Sequence, residues 1–196
     1  MIRKKHGFLK ELEESPRAKT IGILGVQSGV GVTTMAVSLA GYLSGLLREK
    51  TAIVEYGQKT TFAKMLNTEG QGHFTLKHID YYTKNSESLS ALEYKNYDTV
   101  VVDFGSSVSH MGDFIRCTHK IILGTLEPWN VDRYEEFCNH IAEYAGSDTW
   151  LHILHGDEGQ IRRIMRAYKV CAIKRPYIEN VHIVDRNLIH FFQTLF

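Results

Sequence analysis

The stretch Gly25-Val26-Gln27-Ser28-Gly29-Val30-Gly31-Val32-Thr33-Thr34 decides how this chain is read. Residues 20–26 before it are apolar and partly β-branched, which predicts a strand buried on both faces. Residues 33–47 after it carry apolar side chains at helical spacing among small ones. A strand, a glycine-rich turn and a helix N-terminus together make an anion site, because backbone N–H groups converge there and the helix dipole adds partial positive charge. Gly29 and Gly31 let the chain curl round a phosphate with no Cβ in the way. Thr33 and Thr34 bring hydroxyls to the helix start, one suited to Mg²⁺ and the other to a phosphate oxygen. The lysine that a phosphate loop ordinarily carries is missing, and Val32 stands in its place.

Outward from the loop, strands and helices alternate. Residues 51–56 read as a second buried strand with an acid, Glu55, near its end, and residues 61–66 as a short helix. Residues 74–82 suggest a third strand, and residues 99–104 (T-V-V-V-D-F) form the clearest strand of all, again closing on an acid, Asp103. Residues 120–126 and 150–154 give further strands, with helices expected over 131–144, 160–168 and 184–196. This alternation predicts a three-layer α/β fold with a mainly parallel central sheet. Ligands of such folds sit beyond the carboxyl ends of the strands, where the loop, Glu55 and Asp103 all fall.

With 196 residues there is room for one domain, expected over 19–196 behind a charged leader, 1–18. Hydrophobic residues make up 43% and charged residues 23%, the balance of an ordinary globular protein. A formal net charge of +1 gives no global field toward nucleic acid or an anionic membrane. Cys117, Cys138 and Cys171 are odd in number and form no C-x-x-C, which suits a reducing cytoplasm. The basic leader is followed by further charge instead of an apolar stretch, so it does not read as a secretory signal.

The residues also carry a resemblance. S-G-V-G-V-T-T followed by M-A-V-S-L-A resembles the deviant phosphate loop of the ParA/MinD family of P-loop ATPases, K-G-G-x-G-K-[ST]-[ST]. Residues 97–105 (Y-D-T-V-V-V-D-F-G) are similar to the family's Y-D-x-I-I-I-D strand, and residues 51–58 occupy the place of the strand ending in D-x-D. The resemblance implies a P-loop NTPase-like fold, with Gln27, Ser28, Gly29, Val30, Gly31, Val32, Thr33, Thr34 and Glu55 around a nucleotide and Thr33 and Asp103 at Mg²⁺. It also exposes the departures. Gln27 replaces the signature lysine that would reach a partner's nucleotide, Val32 the ordinary loop lysine, Ser28 a glycine, and Gly57 the second acid of D-x-D. Each lost cationic contact costs phosphoryl transfer about 3–4 kcal/mol of transition-state stabilisation.

The expectation is a non-hydrolysing scaffold or localisation protein, similar to the TadZ and CpaE relatives with degraded loops that position pilus or secretion machinery. Those relatives usually carry an additional N-terminal receiver-like domain, whereas here a short leader precedes the first strand. The loop would bind ATP or ADP with Mg²⁺, or nothing, surviving only as a turn that packs strand on helix. Partners would be a protein or a second copy of the chain. A weak or partner-activated ATPase would share the same motifs.

A rival reading takes residues 25–31 as G-x-x-x-G-x-G, a dinucleotide turn with Glu55 on a ribose. Dehydrogenase chemistry of that kind needs Y-x-x-x-K, and none of the ten tyrosines has a lysine four residues on. His152 and His155, like His73 and His78, lack further ligands at metal spacing. The C-terminal helix places Leu188, Ile189, Phe191, Phe192, Leu195 and Phe196 on one arc, opposite a face with one firm cation, Arg186. That pattern predicts packing onto the sheet in preference to membrane binding. Arg162, Arg163 and Arg166, with Lys169, Lys174 and Arg175 nearby, are the basic cluster through which non-specific DNA binding would have to act, a solvated helix face being the default.

Overall fold

Strand β1 (Lys19–Gly25) is buried at every position after the first, and β2 (Thr51–Glu55) and β5 (Thr99–Asp103) are buried throughout. Such runs require cover on both faces of a sheet. The computed structural model describes residues 18–56, 61–65, 72–83, 92 and 97–195. The remaining elements are α1 (Val32–Gly45), α2 (Thr61–Met65), β3 (His73–Leu76), β4 (Ile79–Tyr82), α3 (Met111–Arg116), β6 (His119–Thr125), α4 (Val131–Ile141), β7 (Leu151–His155), α5 (Glu158–Tyr168), β8 (Cys171–Lys174) and α6 (Arg186–Gln193).

The eight strands lie in the order β3-β4-β2-β5-β1-β6-β7-β8. All neighbours run parallel except β3 and β4, which pair antiparallel. Alternate residues of each central strand enter different cores. Ile21, Ile23 and Val101 join Met35, Leu39 and Tyr42 of α1 on one face. Leu24, Val100 and Val102 join Phe114 of α3 and Ile141 of α4 on the other. Tyr134 of α4 and Ile161 and Ile164 of α5 extend the cover towards β7 and β8. The expected three-layer α/β fold with a mainly parallel sheet is thus present.

Several elements differ from the sequence reading. The single strand expected over 74–82 is a hairpin, because Lys77 and His78 both adopt positive φ, 50° and 63°, as a two-residue mirror-image turn demands. Lys-His lacks the Asn-Gly chemistry that announces such a turn. Edge strand β8 was not anticipated; it is short, and its residues C-A-I-K alternate buried and exposed positions over only four residues. The last helix starts at Arg186, not 184, since the Asp185 carboxylate accepts the Leu188 N–H at 2.8 Å and caps it there. Helix α6 shares a core with strand residues Ile121, Leu123 and Ile153 and also packs beside α1, with Phe192 and Tyr42 ring centroids 5.2 Å apart.

Residues 1–17 of the leader, Gly57 with the rest of residues 57–60, Leu66 and Phe196 lie outside the described residues. Among the described residues no helix is long and apolar enough to cross a membrane.

Candidate functional site

The turn after β1 is tied down on both sides. Gly25 donates its N–H to the Gly105 carbonyl at 2.8 Å, and Val26 donates to Leu123 at 2.9 Å. Gly29 and Gly31 both have left-handed φ, 85° and 84°, and Gly31 serves as the N-cap of α1 without any side-chain cap. The first intrahelical bond runs from the Met35 N–H to the Gly31 carbonyl. The first-turn N–H groups of Val32, Thr33 and Thr34 therefore open on the space in front of the loop.

That space is a cavity of about 440 Å³ lined by residues 27–34 together with Glu55, Thr61, Asp103, Gly105, Ser106 and Ser107. The structure thus brings together every residue the sequence assigned to the site, with Thr61 and the 105–107 turn in addition. Among the described residues its lining holds two carboxylates and no lysine, arginine or histidine.

Val32 explains the missing charge physically. Its side chain is buried, 6% exposed, and belongs to the core that includes Ile23 and Met35. A Cβ on Gly25 would meet methyl carbons of Val30 and Val32 at 2.7 and 2.8 Å. The two valines thus press onto the end of β1, and Gly25 is the residue type that leaves them room. Position 32, where the sequence reading looked for a lysine, thus belongs to the hydrophobic core.

The polar half of the site survives. Strands β2 and β5 pair so that Glu55 lies opposite Asp103. The Thr33 hydroxyl donates to Asp103 Oδ2 at 2.6 Å, and Asp103 Oδ1 accepts the Gly105 N–H at 2.8 Å. Asp103 therefore braces the turn behind its own strand. Burial raises its pKa, and the bonds from Thr33 and Gly105 oppose that shift. Glu55 Oε1 accepts N–H groups from Thr61 and Phe62 at the start of α2. Burial raises the Glu55 pKa as well; the Thr61 bonds counter this, and the nearby Asp103 charge adds to it. Glu55 Oε2 and Gln27 Oε1 are buried without a hydrogen-bond partner among the described residues.

Such orphaned oxygens, beside a hydroxyl and a second carboxylate, form a hard-oxygen set that fits Mg²⁺. Among the described residues no group of three or more His, Cys, Asp or Glu side chains could hold a metal by itself, so bound phosphate or water would have to complete the shell. His152 is buried against Tyr134 and His155 is exposed, on opposite sides of β7 as alternation requires.

The strand order corrects the dinucleotide alternative. In the dinucleotide-binding fold the first two strands are neighbours, which brings the acid ending the second onto the ribose. Here β5 lies between β1 and β2, and Glu55 faces Asp103 and α2.

The basic cluster is divided. Arg162 pairs with Glu158 at 3.2 Å and Arg163 with Glu135 at 3.1 Å, both on an exposed helix face. Arg175 has left the cluster: its Nη1 donates to the Val30 carbonyl of the loop at 2.6 Å. The sequence grouped Arg175 with its neighbours in the chain. Its place just after a strand, on the carboxyl end of the sheet, was the available signal, but β8 itself was not recognised.

No family model matches the chain, and no curated protein matches it in sequence. Solved structures do match in shape. A ParA family ATPase from Chlorobium tepidum TLS is 16% identical, with 84% of this chain and 86% of that one covered at a TM-score of 0.59. A plasmid partition protein from Borrelia burgdorferi, bound to AMPPNP, is 15% identical over 92% of this chain and all of that one, at a TM-score of 0.62. MinD from Aquifex aeolicus, in a MinC:MinD cell division complex, is 13% identical over 91% and 90% of the two chains, at 0.63. At these identities the likeness is one of fold: the chain has a ParA/MinD-like P-loop fold.

Proposed function

We propose that this chain is a non-hydrolysing ParA/MinD-like scaffold or localisation protein whose loop grips ATP or ADP without cleaving it. The observation that carries the reading is the cavity in front of the loop, which has main-chain donors, Thr33 and two carboxylates but no lysine or arginine among its described lining residues. Phosphoryl transfer needs positive charge at the transferring group, and Val32 gives the core a methyl group where that charge would sit. Binding asks less. First-turn N–H groups of α1 suffice to hold a phosphate, and Thr33, Asp103 and Glu55 would hold Mg²⁺ alongside it. A metal held there would offset the charge of the phosphate.

The role of positioning other machinery, such as a pilus or secretion apparatus, follows from a shape kept without the groups for turnover. A protein partner or a second copy of the chain is the matching expectation. The MinD neighbour, seen in complex with MinC, offers a precedent for such a partner.

The test is phosphate release from ATP by the purified protein, with and without Mg²⁺. No turnover above the buffer rate is expected, whereas ADP binding should be measurable by calorimetry. Mg²⁺-dependent turnover by the native chain would overturn the reading in favour of a weak ATPase. Absence of binding by ATP and ADP at millimolar concentration would leave the loop as a packing turn only.

A further inference from the structure

Arg175 is rooted at the end of β8, where its backbone N–H donates to the Leu154 carbonyl of β7 at 2.8 Å. Its side chain reaches back over the carboxyl ends of the strands to the loop after β1. There Nη1 donates to the Val30 carbonyl at 2.6 Å. Nη2, Cζ and Nη1 lie 2.6, 3.2 and 3.3 Å from the point that a Cβ on Gly31 would occupy. The guanidinium group thus covers Gly31, and any side chain there would displace it. Yet Arg175 does not line the cavity, so this contact is made on the loop's outer side.

Peptide geometry converts that contact into a consequence. A trans peptide unit holds its C=O and its N–H in opposite directions. With the Val30 carbonyl turned outward to Arg175, the Gly31 N–H of the same unit is turned inward, toward the cavity. A charged donor on the carbonyl also polarises the unit and makes its N–H a stronger donor. The side chain is half-buried, and the guanidinium keeps its charge at neutral pH.

We propose that Arg175 is the positioning cation of this loop: it holds the Val30–Gly31 peptide with its N–H aimed into the cradle and supports anion binding from behind. The anion it serves is the phosphate of a nucleotide, and in that respect the inference rests on the proposed function. The positioning itself is independent of any ligand.

Two measurements on R175M and R175K keep those claims apart. In ¹⁵N relaxation of the ligand-free protein, the Gly31 amide is expected in the rigid range, with an order parameter of about 0.85, and below about 0.6 in R175M. Calorimetry with MgADP is expected to show at least a tenfold loss of affinity in R175M. R175K keeps the charge but not the fork, and should fall between the two proteins in both measurements. Failure of the native protein to bind MgADP, with a loosened Gly31 amide in R175M, would overturn the nucleotide reading and leave the positioning role standing. An equally rigid Gly31 amide in native protein and R175M would overturn the inference. Should R175M not fold, an R175K amide as rigid as the native one would overturn it as well.

Discussion

Acidification should weaken this fold through one side chain. His152 of β7 is fully buried, with Nδ1 2.6 Å from the Tyr134 hydroxyl and Nε2 without a partner among the described residues. Burial lowers its pKa from 6.5 to about 4. A folded-state pKa below the unfolded one means that the unfolded chain takes up the proton first. The contribution is therefore fully present above pH 6.5 and is lost progressively as pH falls toward 4. The whole shift corresponds to about 3 kcal/mol, of which about 2 kcal/mol is lost between pH 7 and pH 5. For a chain of this length that is a fall in Tm of about 4–8 °C.

Asp103 and Glu55 have raised pKa values and work in the opposite sense, favouring the folded state as pH drops. The informative quantity is therefore the difference between the native protein and H152M, which removes the titrating group and keeps much of its volume. Urea unfolding at pH 7 and pH 5 gives it directly. The native protein should lose about 2 kcal/mol more than H152M over that interval. Equal losses in the two proteins would refute the assignment of a neutral, buried His152.

Two further outcomes are expected. T33V leaves Asp103 Oδ2 without its 2.6 Å hydroxyl donor, which should cost about 2 kcal/mol in urea unfolding and abolish any Mg²⁺ enhancement of ADP binding; an unchanged midpoint would contradict the contact. F192A empties a fully buried site against Tyr42 and should cost about 3–5 kcal/mol, whereas a helix docked elsewhere would register almost nothing.

The sequence revealed most where one side chain settles the backbone. The apolar runs of β1, β2 and β5 admit no environment but a sheet covered twice, and the acids that close β2 and β5 mark the face where a ligand would sit. Gly29 and Gly31 announced the turn that their positive φ values display. What stayed hidden depends on contacts remote in the chain. Nothing in Lys77-His78 announces a mirror-image turn. Four residues of β8 gain strand character only from pairing with β7, at the edge of the sheet. Val32 read as an absence, the lost lysine, whereas the structure gives it a positive role, with Val30, in packing the end of β1. Arg175 lies 145 residues from Val30, and no spacing rule links the two.

The place of Arg175 bears on what the loop can do. A lysine inside the cradle would touch oxygens whose charge changes as a phosphoryl group moves, so it would favour the transition state over bound substrate. Arg175 acts through a peptide dipole on whatever anion rests in the loop, before and after any bond breaks. An interaction equal in ground and transition states tightens binding without raising the rate of the chemical step. On the proposed function, charge behind the loop and methyl groups within it would push in one direction, toward holding. Placing a lysine at position 32 would not by itself reverse this, since its stem would have to leave the core that Val30 and Val32 fill over Gly25. V32K should therefore restore little turnover; a rate rising a hundredfold above the native chain would show that this core yields more readily than its packing implies.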